Sequence, residues 1–282
     1  MQLSRSAKET HQALEAIRQS GKRTVFVPTM GALHEGHRSL FRKAKDMGGF
    51  SVASIFVNPT QFNQEEDFKK YPRPLEIDLT ICEEEKVDFV FAPPENEIYP
   101  DGLETDIPVP NIGLLMEGEF RPGHFAGVCT VVHRLFEAVN PTIALFGEKD
   151  YQQYLVIRDM VKKQNRPISI ISCPTIRDRN GLALSSRNRR LSPAGYEKAL
   201  TIPRLLRSAQ QIAQEGEREA SKIISQSISK ISSAEADQLK IDYLKIVDSN
   251  NLEPLKKIDN QARILIAAWV EGIRLIDNDR LI

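Results

Sequence analysis

Cysteine is scarce in this chain of 282 residues: Cys82, Cys129 and Cys173 stand alone, and none belongs to a C-x-x-C pair. Zinc is thereby left without its usual thiolate sets, and unpaired thiols suit a reducing compartment, so a cytoplasmic location is expected. Net charge is lacking too. Lysine plus arginine and aspartate plus glutamate each total 38, which removes the global basic field expected of a nucleic-acid binder. No apolar run approaches the ~20 residues a membrane-spanning helix needs. The opening MQLSRSAKETHQALEAI is a mixed amphipathic pattern with no apolar signal-peptide core. Internal repeats and low-complexity tracts are absent as well. What remains is a soluble enzyme of ordinary composition, long enough for two domains and a substantial core.

The most informative stretch that is present is VPTMGALHEGH, residues 27–37. An apolar run stops at Pro28 and gives way to Gly31, Gly36 and two histidines. Glycines let the backbone approach a ligand closely, and the unpaired N–H groups at a following helix start favour an anion. His34 and His37, three residues apart, point to one side if they lie in the first helical turn. Taken alone, H-x-x-H also fits half of a metal site or two surface histidines near a loop. Zinc is the weaker of these readings. The cysteines are isolated, and the zinc-protease pattern requires i,i+4 spacing with a glutamate directly after the first histidine.

Apolar runs at 24–27, 51–57, 88–91, 142–146 and 168–172 read as strands, and helical periodicity occupies 7–19, 36–47, 74–85, 127–139 and 152–163. Continuous rather than alternating apolar strands separated by helices indicate a parallel sheet covered on both faces. The expected fold is therefore α/β, a Rossmann-like doubly wound sheet. In such sheets ligands bind beyond the carboxyl ends of the strands, and HEGH, NPTQF, GEKD and the segment ending in SSRN all follow strand ends. Beyond about residue 175 the pattern changes. Residues 192–215 and 220–234 read as helices, the first opened by Ser192 and Pro193. Strand-like runs follow at 241–247, 263–269 and 273–276, with Glu271 and Gly272 as a turn. This predicts a smaller C-terminal α+β domain over 176–282 after a catalytic domain over 1–175, with the polar segment 178–188 as the hinge and the second domain as a lid.

PTMGALHEGH at 28–37 resembles the signature of the pantothenate synthetase (pantoate–beta-alanine ligase) family, within the nucleotidyltransferase superfamily that shares a HIGH-type histidine phosphate site. Further similar stretches run in order: FVNPTQF at 56–62, YPRP at 71–74, RPGHFAGVCTVV at 121–132, GEKDYQQ at 147–153 and ALSSRN at 183–188. Together they span most of the first two-thirds of the chain. The resemblance implies ATP-dependent condensation of D-pantoate with beta-alanine through a pantoyl adenylate, releasing pyrophosphate and AMP. It also implies a homodimer.

For such a reaction an enzyme positions two anions and stabilises charge on phosphates. By resemblance the catalytic set is His34, His37, Lys149, Ser185 and Arg187. The ATP site adds Pro28, Met30, Gly31, Gly147, Asp150, which meets the ribose, and Ser186. Gln61 and Gln153 bind pantoate, assisted by Asn58, with Met30 and Phe62 against its methyl groups. Read without the motifs, Gln61 is a loop residue after Pro59 and Gln153 a solvated helix position. Mg²⁺ would bridge the phosphates, with Asp78 as its protein contact. His124 in RPGHF is expected at the wall of the site, where it meets nucleotide or pantoate, and His133, among apolar neighbours, is expected to be structural.

Two features depart from the family pattern. Asp178 and Asn180 stand where a glutamate and then an aspartate are expected, which bears on loop closure more than on chemistry. Ala126 fills a position that is often polar and carries no role. A nucleotidyltransferase acting on a phosphate ester would share the histidines but would call for more cations where Gln61 and Gln153 stand. A noncatalytic RNA-binding module would need a basic, aromatic-bearing face.

Overall fold

The structure, a computed structural model, describes residues 1–231 and 239–282. The chain divides into two compact units. The first comprises Met1–Gly147 and Gln152–Pro174, the second Glu148–Tyr151 and Thr175–Ile282.

The first unit is built on six strands, β1 (Gln2–Ser4), β2 (Thr24–Thr29), β3 (Phe50–Ile55), β4 (Phe89–Phe91), β5 (Ile143–Gly147) and β6 (Ser169–Cys173), in the order β1-β4-β3-β2-β5-β6. Every pairing is parallel. The central strands are buried on both faces, with Val25, Phe26, Val27, Ala53, Val90, Ala144 and Leu145 essentially inaccessible, which is why they read as unbroken apolar runs. Strand order reverses between β2 and β5. The topological switch point, where doubly wound sheets bind ligands, thus lies at the carboxyl ends of the strands that lead into the histidine segment and into Gly147. The edge strand β1 was not foreseen, because three residues are too few to show a period.

Helices fall where the 3.6-residue period places them, within a few residues. The helix Ala7–Gln19 is capped by Ser6, whose hydroxyl accepts from Glu9 N–H at 3.5 Å. The helix His124–Val139 begins earlier than expected, because Gly123 at φ 82° turns the chain into it. It buries twelve of its sixteen residues, so it is a core element rather than an amphipathic cover.

The second unit carries an antiparallel sheet of β7 (Lys240–Asp248), β8 (Ala262–Val270) and β9 (Ile273–Arg280). Glu271 and Gly272 join β8 to β9 with φ of 51° and 74°, the paired positive values of a tight hairpin turn. The helix Thr201–Gln214 lays Ile202, Leu205, Leu206, Ala209, Ile212 and Ala213 into the core of this unit, which includes Ile264, Ile266 and Ala268 of β8.

The single helix expected over 192–215 is two, Pro193–Ala199 and Thr201–Gln214. Pro203 has no N–H for the carbonyl of Ala199 and crowds it, so the helix restarts. The next helix is Ala220–Ser229, and residues 232–234 of its expected span lie outside the described residues. The segment expected as a hinge is a structured turn of the second unit. Asp178 N–H donates to Leu182 O at 2.9 Å, and Arg177 bridges Ala183.

Candidate active site

The histidine segment is held through its backbone amides, by the side chains of Thr29 and Asp78 and by the two imidazoles themselves. At the end of β2, Thr29 Oγ1 donates to Ser54 O at 2.7 Å and accepts Gly31 N–H at 3.1 Å. Gly31 and Ala32 then adopt left-handed φ of 76° and 50°. This turns the amides of Ala32 and Leu33 onto the two carboxylate oxygens of Asp78, each at 2.8 Å. A side chain at Gly31 would strike Asp78 Oδ2 at 2.7 Å, so glycine is required there for both conformation and space.

His34 is the N-cap of the helix Glu35–Asp46. Its Nδ1 accepts Gly36 N–H at 3.1 Å, and His37 Nδ1 accepts His34 N–H at 3.2 Å, a reciprocal capping box made by two imidazoles. A Cβ on Gly36 would lie 2.8 Å from His34 Cε1. Backbone amides only donate, so both Nδ1 atoms are acceptors and each neutral ring carries its proton on Nε2. The ring centroids are 4.2 Å apart. The sequence pair is thus fixed as two Nε2–H donors at the start of a helix, where the dipole favours an anion.

Asp78 has a structural task. It is 1% exposed, and both of its oxygens hold the turn before His34. Among the described residues no group of three or more His, Cys, Asp or Glu is placed to hold a metal ion. Both Asp78 oxygens are engaged by backbone amides within the fold.

A second polar cluster in this unit centres on Asn58, which is also 1% exposed. Its Nδ2 donates to Gln61 Oε1 at 3.1 Å and to Gly127 O at 3.2 Å. Its Oδ1 accepts from Tyr99 OH at 2.6 Å and Thr60 Oγ1 at 3.0 Å. Every polar atom of the Asn58 side chain is engaged within the fold, and its amide holds Gln61 in place. Gln61 Nε2 lies 3.0 Å from Met30 Sδ, bringing two expected pantoate residues together.

His124 reaches the same cluster. Its Nδ1 donates to Gln61 O at 2.8 Å while Arg121 donates to its Nε2 at 3.2 Å. Phe62 packs edge-on against Phe68 and Tyr71. The adjacent glutamines divide the work. Gln152 is buried and spends its amide on Ile112 O, Leu115 O and Glu117 N–H, whereas Gln153 is half-buried. His133 bonds Gln164 Oε1 at 3.1 Å, a structural tie as expected.

Gly147 closes β5 and Pro28 lies in β2, both in the first unit, whereas Lys149, Asp150, Ser185, Ser186 and Arg187 belong to the second. Glu148–Asp150 forms a single 3₁₀ turn in which Lys149 Nζ lies 3.6 Å from Asp150 Oδ1. Ser185 caps a second 3₁₀ turn, Ser186–Arg190, accepting Arg187 N–H at 3.3 Å. Lys149 and Ser185 line one small cavity together with Asn188 and Asp277.

The departure at Asp178 has a role in this unit. Its Oδ1 accepts Asn180 and Leu182 N–H at 2.9 and 3.0 Å, and its Oδ2 accepts Tyr196 OH at 2.5 Å. Burial acts to raise the Asp178 pKa, but the Tyr196 hydroxyl and the amides outweigh it, and the carboxyl stays below its ordinary range. Asn180 donates to the same hydroxyl at 2.9 Å. The motifs missed the supporting roles of Asp78, Tyr99, Arg263, Asp277 and Asn278. Only Asp78 lay near a recognised stretch, YPRP.

A doubly wound parallel sheet with paired imidazole donors following β2 at its switch point defines the class, an α/β nucleotide-binding enzyme. Comparison with known proteins narrows it. The model of the family described as pantoate-beta-alanine ligase matches residues 2–280, and the chain belongs to that family. It is 45% identical over 278 residues to a pantothenate synthetase of Thermotoga petrophila, covering 99% of both chains. With one of Aquifex aeolicus it shares 47% over 276 residues, covering 98% of this chain and 97% of the relative.

Among solved structures, the pantothenate synthetase of Thermus thermophilus superposes with a TM-score of 0.93 at 41% identity, covering 100% and 99% of the two chains. The pantoate-beta-alanine ligase of Francisella tularensis, complexed with beta-gamma ATP and beta-alanine, gives a TM-score of 0.79 at 37% identity, covering 100% and 98%.

Proposed function

We propose that this enzyme condenses D-pantoate with beta-alanine at the expense of ATP, in two steps. A pantoate carboxylate oxygen attacks the α-phosphorus, the bond to the β-phosphate's bridging oxygen breaks, and pyrophosphate leaves. The beta-alanine amine then attacks the acyl carbon of the pantoyl adenylate. The amide C–N bond forms, AMP departs with the electron pair of the acyl–oxygen bond, and the amine gives up a proton. No protein nucleophile is required. Membership of the family supports the overall reaction.

The observation that carries the assignment of roles is the imidazole capping box. His34 and His37 present Nε2–H to the phosphates, and because the rings are fixed beforehand they stabilise developing charge without reorganisation. Lys149 and Arg187 add full positive charge, and Ser185 and Ser186 add hydroxyl donors. Asp150 meets the ribose. Gln61 and Gln153 take the hydroxyls and carboxylate of pantoate, and Met30 its methyl groups. Pro28, Gly31 and Gly147 let the backbone approach the nucleotide. Mg²⁺ accompanying ATP would supply charge neutralisation at the phosphates.

The enzyme works in the cytoplasm as a homodimer, for which a light-scattering mass twice that of the chain is expected. Among the described residues no helix is long and apolar enough to cross a membrane. Pyrophosphate exchange into ATP tests the order of steps. Exchange is expected with pantoate and without beta-alanine; a requirement for beta-alanine, or exchange lacking pantoate, refutes the adenylate.

A further inference from the structure

The Lys149 segment is held from far along the chain. Asn278 of β9 donates from Nδ2 to the carbonyls of both Glu148 and Lys149, at 2.8 and 3.0 Å. Arg263 of β8 in turn donates to Asn278 Oδ1 and to Glu148 Oε2, the latter at 3.2 Å, and its guanidinium stacks 3.7 Å above the Tyr151 ring. Tyr151 OH donates to Ser249 O at 2.9 Å. Arg263 and Asn278 are 2% and 3% exposed, an expensive pair of groups to bury unless they are used.

The neighbour of Asn278 in sequence does the matching job for the other cationic segment. Asp277, 3% exposed, receives a two-pronged bond from Arg177 at 2.6 and 3.0 Å, and Arg177 also donates to Gly181 O at 3.1 Å. Consecutive residues of β9 therefore anchor the turn that carries Lys149 and the turn that leads to Ser185 and Arg187.

We propose that Asn278, oriented by Arg263, is a positioning residue for Lys149, holding its backbone so that the ammonium meets the phosphates of ATP in register. The proposal rests on the role assigned to Lys149 above. A buried amide clamping two successive carbonyls fixes where the Lys149 side chain starts, and misplacement of a charged group by about 1 Å costs on the order of a hundredfold in rate.

The test is a double-mutant cycle on pantoate-dependent pyrophosphate exchange, with Lys149→Ala, Asn278→Ala and the pair combined, each checked for its thermal transition. Asn278→Ala is expected to lower kcat by about ten- to a hundredfold while changing KM for pantoate little. In the Lys149→Ala background the same change should cost less than about threefold, because residues acting through one another are not additive. Asn278→Asp is isosteric and still accepts from Arg263, but turns an oxygen toward two carbonyls. It should lose at least as much, and it carries the comparison if the alanine variant fails to fold. Full, multiplicative losses in the double variant, or wild-type kcat with only a lowered transition, overturn the proposal. If Lys149→Ala itself leaves exchange intact, the role of Lys149 is wrong and the proposal falls with it.

Discussion

The histidine segment and the Lys149 segment are fixed by opposite means. His34 and His37 are held by amides two and three residues away, and the turn before them by one carboxylate, Asp78. The Lys149 segment is held by two strands more than a hundred residues downstream, through Asn278 and Arg263. A donor set by local capping is in place as soon as its helix forms, whereas one set by distant side chains depends on the whole second unit having folded. The first arrangement suits groups that need one particular tautomer, since a backbone amide can specify which ring nitrogen accepts. The second suits a point charge, for which position matters more than orientation.

The largest effect that sharpens this contrast is expected at the histidines. Replacing either His34 or His37 with alanine should slow adenylation by about two to three powers of ten. Losing one member of a cap costs only about 1 kcal/mol, or about 2–4 °C in the thermal transition. Amide formation from synthetic pantoyl adenylate should largely survive, because pyrophosphate has already departed. If that second step falls as far as the overall reaction, the rings are not specific to phosphate transfer. If the protein unfolds, their local caps matter more than the comparison allows.

A smaller effect is expected at Asp78. Asp78→Ala leaves the buried amides of Ala32 and Leu33 without an acceptor, at a cost of about 1–3 kcal/mol in stability. The Mg²⁺ concentration giving half-maximal activity should not move. A lowered thermal transition with an unchanged Mg²⁺ titration supports the structural role; a displaced titration returns Asp78 to the metal.

The smallest is a pH effect within the second unit. The carboxyl of Asp178 sits below its ordinary value of 3.8, with burial opposing and the Tyr196 hydroxyl and the amides prevailing. A depressed carboxylate pKa contributes stability that is fully present above the unfolded value and is lost as pH falls through the folded one. Tyr196→Phe should therefore lower the thermal transition slightly at pH 7, and the gap from wild type should close as pH drops below about 4. A gap independent of pH would mean that Tyr196 contributes packing alone.

Legibility in the sequence followed the same division. The strands of the parallel sheet were readable because burial on both faces leaves unbroken apolar runs such as TVFV at the start of β2. The histidine segment was readable because its glycines, caps and rings all lie within a dozen residues. The pairing order that puts β5 beside β2, and with it the switch point, was not, because strand order depends on how crossovers pack rather than on any local period. Asn58 and Gln61 illustrate the finer limit. Both are amides in one motif, and only the fold shows that Asn58 is consumed by Tyr99, Thr60 and Gly127.

The sequence by itself determined the class of fold, the family and the cluster of residues around His34 and His37, since periodicity, capping and short motifs are written in neighbouring positions. Only the tertiary structure decided that Asp78 holds the loop before His34, that Asn58 holds Gln61, and that Asn278 and Arg263 hold the Lys149 segment. The physical reason is that a buried polar atom takes whichever partner the fold brings to it, and residues 46, 41 or 129 positions apart leave no local pattern from which that partner is read.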